Sequence, residues 1–347
     1  MKLYEIIINP ASGFGTPLKG DTLFGHVCWQ AGDDPDLFDK ELPELIRVYH
    51  KTPFAVFSSA FPFIAGSPAD ETPARYVLKK PEMPMSKIFP QAGTRLQTLK
   101  QIKENKQKKW MVVPRANRID MADAQFLTDE AVCRAISATD PDRRQSSRME
   151  KNEAVLRSTA QAHTTINRLT GTTGTGMFAP YEKENFFYFP GTRLALLVLV
   201  DTDLVHVEPI VKTLERIGKW GFGRDASTGM GKFTIASYVE MPGSTETGFL
   251  AGYTLAPCVP DTELLEKFSF KSFARFGKHG AFLATSRNPF KNPVIMADEA
   301  AVLWPKDTSF FKKPYLGKSV SGVSKTMPET VVQGYSPYLP LKLEPEI

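Results

Sequence analysis

The sequence predicts an α+β fold: one β-α-β unit, a long insertion, a second β-α-β unit, and a β-rich region after them. Three observations predict it. Lys2–Ile8 is an aliphatic strand candidate, followed after a Gly/Pro loop by a helical stripe at Leu23, Phe24, Val27 and Cys28. Arg193–Val200 is an unbroken apolar run, followed by Val207, Ile210, Val211, Leu214 and Ile217 at helical spacing and then by the β-branched and aromatic stretch 232–239. Beyond residue 248 the chain reads as short strands.

Each element has its own warrant. Pro10–Pro17 carries Gly13, Gly15 and two prolines and reads as a loop; Asp21 or Thr22 then caps a helix running toward Ala31. Phe54–Ala60 is the second strand. The insertion, at about 61–190, is proline-rich and then lysine-rich over 61–118. Ala122, Phe126, Leu127, Ala131 and Val132 suit a short amphipathic helix, which Asp140–Arg144 ends, and Ser146–Asn152 is expected to be mobile. Thr164–Leu169 and Glu184–Phe189 read as hairpin arms around a Gly/Thr tip, Thr170–Ala179. The helix 207–218 has Pro209 in its first turn and Gly218 as its stop. Pro242–Gly248 reads as a linker. Strands are expected at Tyr253–Pro257, Phe268–Phe273, Ala281–Thr285, Val294–Met296 and Thr330–Val332. This divides the chain into domains at 1–240 and 245–347. The strand-helix order of the first is the ferredoxin-like one, split between its second and third strands.

Residues 221–233 say most about function. Gly221, Gly223, Gly229 and Gly231 bracket Arg224, Asp225, Ser227 and Thr228, and Lys232 follows. Such a loop can turn successive amides toward one anion. Gly221–Ala226 fits a dinucleotide fingerprint in letters, but that motif follows a strand and opens a helix, and here the order is reversed. The Walker pattern fails as well, because Phe233 stands where a hydroxyl is needed and Ala226 where the first glycine is. A connector that merely ends a helix would need only one or two glycines.

The chain of 347 residues carries a formal net charge of +5. The charge is concentrated: Arg95, Lys100, Lys103, Lys106, Lys108, Lys109, Arg115 and Arg118 stand against Glu104 alone in 91–118. Residues 271–291 hold Lys271, Arg275, Lys278, Arg287 and Lys291 with no acid, interleaved with phenylalanines. The first segment fits a polyanion partner or a solvated face equally; the interleaved rings favour binding in the second. Cys28, Cys133 and Cys258 are too far apart for a disulfide framework or a zinc pattern, and the histidines are scattered. No metal, no cofactor, no signal peptide and no membrane span are expected, and a cytoplasmic location follows.

With the split order, the glycine loop and the opening Thr16-Pro-Leu-Lys-Gly-Asp-Thr-Leu-Phe-Gly-His-Val-Cys-Trp29, the chain resembles the RAMP superfamily of CRISPR proteins, and within it subunit four of the type III-A (Csm) effector complex. Ile166–Gly171 resembles the motif preceding that superfamily's thumb hairpin. Asn288–Pro293, Tyr315–Lys318 and Val332–Tyr335 resemble the subunit's C-terminal blocks. The likeness covers most of the chain and is weakest over 91–160.

The resemblance implies tandem ferredoxin-like (RRM-like) domains, the first split by an insertion with a thumb-like hairpin. It implies a non-catalytic RNA-binding subunit for antiviral defence, gripping the 5′ tag of the CRISPR RNA. It implies two protein partners, the large polymerase-like subunit and the backbone RAMP subunit, with cleavage and signalling left to those. Gly221, Gly223, Arg224, Ser227, Thr228, Gly229, Gly231 and Lys232 would then cradle the RNA backbone. Lys19 and Gly20, before the first helix, would offer a helix N-terminus to phosphate. Arg168 and Lys183 would flank the hairpin loop, with Met177 and Phe178 as an apolar wedge between bases. Lys278 sits in a second glycine-flanked basic turn that grips phosphate or simply turns the chain. Asp225 fixes the loop or pairs with Arg224, and Trp29 and Trp220 read as core. His26 bonds within the helix packing or touches RNA. The alternative is a metal-independent endoribonuclease with His26 as general base, for which no second histidine or tyrosine claims the remaining proton-transfer roles. A purely structural bridge between acidic partners is a third reading.

Overall fold

Arg193–Val200 has no polar face, and in the computed structural model it is a strand buried on both sides. The structure describes residues 1–66, 72–90, 95–139, 153–242 and 249–343. The expected mobile stretch Ser146–Asn152, the helix break at Asp140–Arg144 and nearly all of the 242–248 linker lie outside them.

In chain order the elements are β1 (Lys2–Pro10), α1 (Gly20–Asp33), α2 (Leu42–Val48), β2 (Ala55–Ile64), β3 (Arg75–Lys79), α3 (Met85–Ile88), α4 (Arg95–Gln107), β4 (Trp110–Pro114), β5 (Ile119–Asp120), β6 (Gln125–Leu127), α5 (Asp129–Thr139), β7 (Leu156–His163), β8 (Tyr181–Tyr188), β9 (Arg193–Val200) and α6 (Val207–Trp220). They continue with β10 (Phe233–Glu240), β11 (Ala251–Thr254), β12 (Leu265–Ser269), β13 (Ser272–Arg275), β14 (Val294–Ala297), β15 (Val302–Pro305), β16 (Tyr315–Gly317) and β17 (Tyr335–Lys342). One sheet runs β10-β1-β9-β2-β3-β4-β6, and a second runs β12-β15-β11-β17-β16 with β5 beside β17. β7 with β8, and β13 with β14, form two-stranded antiparallel pairs. No helix among the described residues is long and apolar enough to cross a membrane.

Strand alternation explains how the layers stack. Ile6, Ile8, Leu194, Leu196 and Val198 face α1 and α6, meeting Leu23, Phe24, Val27, Ile210 and Leu214. Their neighbours Ile7, Ala195 and Leu197 face the other way and pack on Tyr253, Val302, Leu339 and Leu341 of the second sheet. Both faces of the first sheet's central strands are therefore dry, which is why β9 reads as a continuous apolar run. Glu5 lies on the second of these faces, where the Arg115 guanidinium (2.8 Å) and the Tyr76 hydroxyl satisfy its carboxylate.

The two sheets are also joined by polar groups. The β2–β9 ladder breaks register between Phe57 and Ala60. The freed groups find partners from elsewhere: Ser59 N–H donates to Leu255 O (2.8 Å) and Ala60 N–H to Leu18 O (2.9 Å). The fully buried Gln333 side chain accepts from Phe57 N–H (2.9 Å) and donates to Phe57 O (2.8 Å) and Tyr335 O (3.1 Å).

Several expectations are corrected. α6 runs two residues past Gly218, which sits buried inside it facing Phe233, and Gly221 caps it. Residues 125–127 are strand, and the amphipathic helix begins at Asp129. The N-terminal hairpin arm is 156–163, leaving 164–169 in the tip. Ala281–Thr285 is a 3-10 turn, and 330–332 contributes only an isolated bridge, Val320–Val332. The region after 248 has no α-helix among its described residues, so a ferredoxin-like second unit would keep its sheet and lack its helices.

Replacing Gln333 by Leu keeps the volume and strands Phe57's N–H and C=O. This is expected to lower the stability measured by urea unfolding by about 2–4 kcal/mol.

Candidate nucleic-acid interface

Three segments meet at one end of the first sheet: the loop 11–19 after β1, the loop 221–232 between α6 and β10, and the hairpin β7–β8. The two loops lie backbone to backbone. Ala11 N–H donates to Lys232 O (2.8 Å), Gly231 N–H to Gly13 O (2.7 Å), Arg224 N–H to Thr16 Oγ1 (3.0 Å) and Lys232 N–H to Ser12 Oγ (2.8 Å). One glycine is required by this contact and a second by the loop's own closure. Gly223 has φ +74°, and a Cβ on it would fall 2.6 Å from Thr16 Cβ. Gly231 has φ +75°, and a Cβ there would fall 2.1 Å from Phe222 O. No L side chain fits either place.

The amide pattern differs from an open anion cradle. The N–H groups of Gly221–Arg224 and Thr228–Lys232 all donate within the protein. Those of Asp225, Ala226 and Ser227 donate to no protein acceptor among the described residues. The glycines thus serve mainly the close approach of backbones, and the amides left without a protein acceptor narrow to those of 225–227. At this 225–228 tip Ser227 and Thr228 are exposed, and the Thr228 hydroxyl donates to Asp225 O (2.8 Å).

The hairpin joins the same junction. Phe14 and Phe186 exchange backbone hydrogen bonds at 2.8 Å each way. The Arg224 guanidinium reaches Glu184 O and Asn185 Oδ1, and its Nε pairs with Asp225 Oδ2 at 3.0 Å. Lys183 Nζ holds Asp225 Oδ1 at 2.9 Å. That hydrogen bond, with the Arg224 pairing, keeps the Asp225 carboxyl below its ordinary value. Arg224 and Lys183 therefore brace the loop against the hairpin, and Asp225 fixes the loop and pairs with Arg224. The hairpin tip opens just beyond this brace, past the His163–Tyr181 stack. Arg168 is exposed in it, with Leu169 96 % and Met177 82 % exposed and Phe178 half-buried. Lys232, on the neighbouring loop, is exposed.

Other candidates fall elsewhere. Lys19 is largely buried: its ammonium sits between Asp298 and Glu299 (3.2 Å) and over the Phe273 ring (4.6 Å). Gly20 packs on Phe57 O and Ala256. The N-terminus of α1 is therefore enclosed by the second sheet's loops, where neutralising carboxylates replace the expected phosphate. Asp21 caps nothing; it lies inside the first turn and holds Arg275 through two bonds of 2.6 and 2.9 Å. His26 packs on Phe222, and its Nε2 accepts the Gly223 N–H (3.2 Å), so its proton sits on Nδ1. Burial pulls its pKa down to about 4. Lys278 is exposed apart from the junction, its Nζ 5.5 Å from the Phe290 ring centroid, on a segment that touches α1 through Phe282 and Trp29. Its neighbour His279 is buried against Ser324.

Trp220 was expected in the core and is 73 % exposed, beside the glycine loop. The stripe Ile210, Leu214, Ile217, Gly221 runs past it, and that offset is the sequence signal for a ring left outside.

No protein-family model matches the chain, and no curated protein matches it in sequence. Solved structures do match in shape. A chain of a Csm1–Csm4 cassette crystallised with pppApA aligns over 100% of both chains, with a TM-score of 0.55 and 14% identity. A chain of a Csm3–Csm4 subcomplex of the type III-A CRISPR-Cas interference complex aligns over 99% of this chain and 100% of its own, with a TM-score of 0.54 and 12% identity. A second cassette structure, with cA4, gives 0.53 at 14%. Csm4 is common to these assemblies, and the chain shares its fold with these Csm-complex structures over its whole length.

Proposed function

We propose that this chain is the RNA-holding subunit of a type III CRISPR effector complex, and that it binds the 5′ tag of the CRISPR RNA without cutting it. The observation that carries the reading is the three-way junction. The glycine loop carries exposed Ser227, Thr228 and Lys232, with exposed Trp220 just before it, and through Arg224 and Asp225 it is braced to a hairpin whose tip offers Arg168, Met177 and Phe178. Backbone phosphates would lie along the 225–228 tip and Lys232, which positions a strand without reading its sequence. Bases would stack on Trp220 or be parted by the hairpin tip, acting as a thumb. Lys19 and Gly20 take no part in this.

The first unit, 1–240, is read as ferredoxin-like, supported by the strand order β10-β1-β9-β2 with α1 and α6 on one face. The C-terminal unit, 245–347, is read as a reduced version of that plan, supported by the strands and the absence of an α-helix over its described residues 249–343. The large polymerase-like subunit and the backbone RAMP subunit are the proposed partners, in the cytoplasm.

The endoribonuclease alternative asks His26 for a free lone pair. Its Nε2 already accepts a backbone N–H, and its ring is desolvated, which argues for a packing role.

Trp220→Ala with Lys232→Ala is expected to weaken binding of a fluorescent tagged CRISPR RNA about tenfold or more. Equal affinity would overturn the loop assignment. Labelled repeat RNA incubated with the protein in EDTA is expected to stay intact; specific cleavage lost in His26→Ala would instead establish the enzyme. His26 also has a pH signature. Its folded pKa lies below the ordinary histidine value of 6.5. Its contribution is therefore complete above pH 6.5 and is lost as pH falls toward about 4, on the order of 3 kcal/mol in all. Urea midpoints across that window should fall steeply for the native chain and less so for His26→Gln.

A further inference from the structure

The lysine-rich segment of the insertion has a fold of its own that the junction does not use. α4 spans Arg95–Gln107, and none of its described side chains is buried. Lys100, Lys103 and Lys106 are exposed and form no ion pair or hydrogen bond among the described residues. They rise about 4.5 Å apart along the helix, near enough for like charges to oppose one another. Leu99, just before Lys100, is 57 % exposed. The chain leaving the helix is firmly held: Lys80 N–H donates to Lys109 O (2.9 Å), Lys109 Nζ pairs with Asp129 (2.9 Å), and Lys108 lies over Phe89 (5.3 Å). Glu104 is the one acid in α4, so most of the cationic charge on this anchored, uncovered helix has no counter-charge of its own.

Register places α4 in the molecule. β3 pairs with β2 through Ile64–Arg75, near the glycine-loop end of the sheet, where β1 reaches Ile8 opposite Leu194. Trp110, just after α4, pairs with Lys79 at the other end of β3. The chain leaving α4 therefore rejoins the seven-stranded sheet at the end away from the junction, about 14 Å along β3, and on β4, four strands across from β1.

We propose that α4 is a second RNA-backbone contact, taking phosphates of a single-stranded segment distinct from the one at the glycine loop. The chemistry favours RNA over an acidic protein. Protein interfaces bury an apolar centre and are poor in lysine, whereas flexible lysines without a hydrophobic groove suit phosphates. This goes beyond the tag-holding reading and does not depend on it.

The test is Lys100→Gln, Lys103→Gln and Lys106→Gln together in the full chain. Glutamine has nearly the same helix propensity as lysine, so α4 should persist, and circular dichroism checks that it does. Binding of a fluorescent uridine homopolymer is followed across a salt series. The expected result is a slope of log Kd against log salt reduced by about 2, with affinity at low salt down about tenfold. A matched variant elsewhere, Lys51→Gln with Lys212→Gln and Lys325→Gln, should leave the slope nearly unchanged. The proposal is overturned if the α4 variant keeps the native slope, or if both triple variants lower it equally. The same α4-dependent loss measured in a Trp220→Ala, Lys232→Ala background separates the two surfaces, since it persists only if α4 acts independently.

Discussion

The structure depends on the segment from the end of β1 through the first turn of α1. Residues 11–16 meet the glycine loop backbone to backbone, with Gly223 and Gly231 held at positive φ where a Cβ would collide. The same few residues exchange hydrogen bonds with the hairpin at Phe186. Leu18 O satisfies Ala60 in the β2 register break, and Lys19 and Asp21 carry ion pairs into the C-terminal region. One stretch of chain thus ties the first sheet, the hairpin and the second sheet together. Its charges are largely enclosed: the Asp21 side chain is 3 % exposed and that of Lys19 is 17 %. Removing one partner from such pairs leaves an unpaired charge, which costs far more than losing a surface ion pair.

That arrangement divides labour between scaffold and surface. The groups that look most suited to phosphate in the sequence, Lys19 and Arg224, serve mainly to hold backbone and carboxylates in place. What remains facing solvent is a smaller set on rigid supports: the 225–228 tip, Lys232, Trp220 and the hairpin tip. Such a surface would lose little entropy on taking the proposed strand.

Much of the fold was legible. Arg193–Val200 is a strand to the residue, and the helix at 207 begins where its stripe does. Local periodicity is strong there because both partners bury fully. β17 was not legible, since Pro337 and Pro340 interrupt it; it accommodates them by pairing with β16 over its first residues and with β11 over its later ones. The site was half legible. The glycine loop announced itself, and Asp225 paired with Arg224 as its charge demanded. Lys19, Asp21 and His26 were misread in whole or part because their partners, Asp298, Arg275 and Gly223, lie far along the chain. Trp220 was missed because a tryptophan beside an apolar stripe resembles core until its angular position is counted.

The central claim is that RNA lies across the junction of the glycine loop and the hairpin. Amide hydrogen exchange of the full chain, with and without tagged CRISPR RNA, tests it most directly. Slowed exchange at the unpaired amides of 225–227 and in the tip 164–180, with 20–28 unchanged, is the predicted result. Tight binding that leaves both of those regions exchanging at their free rates would contradict it.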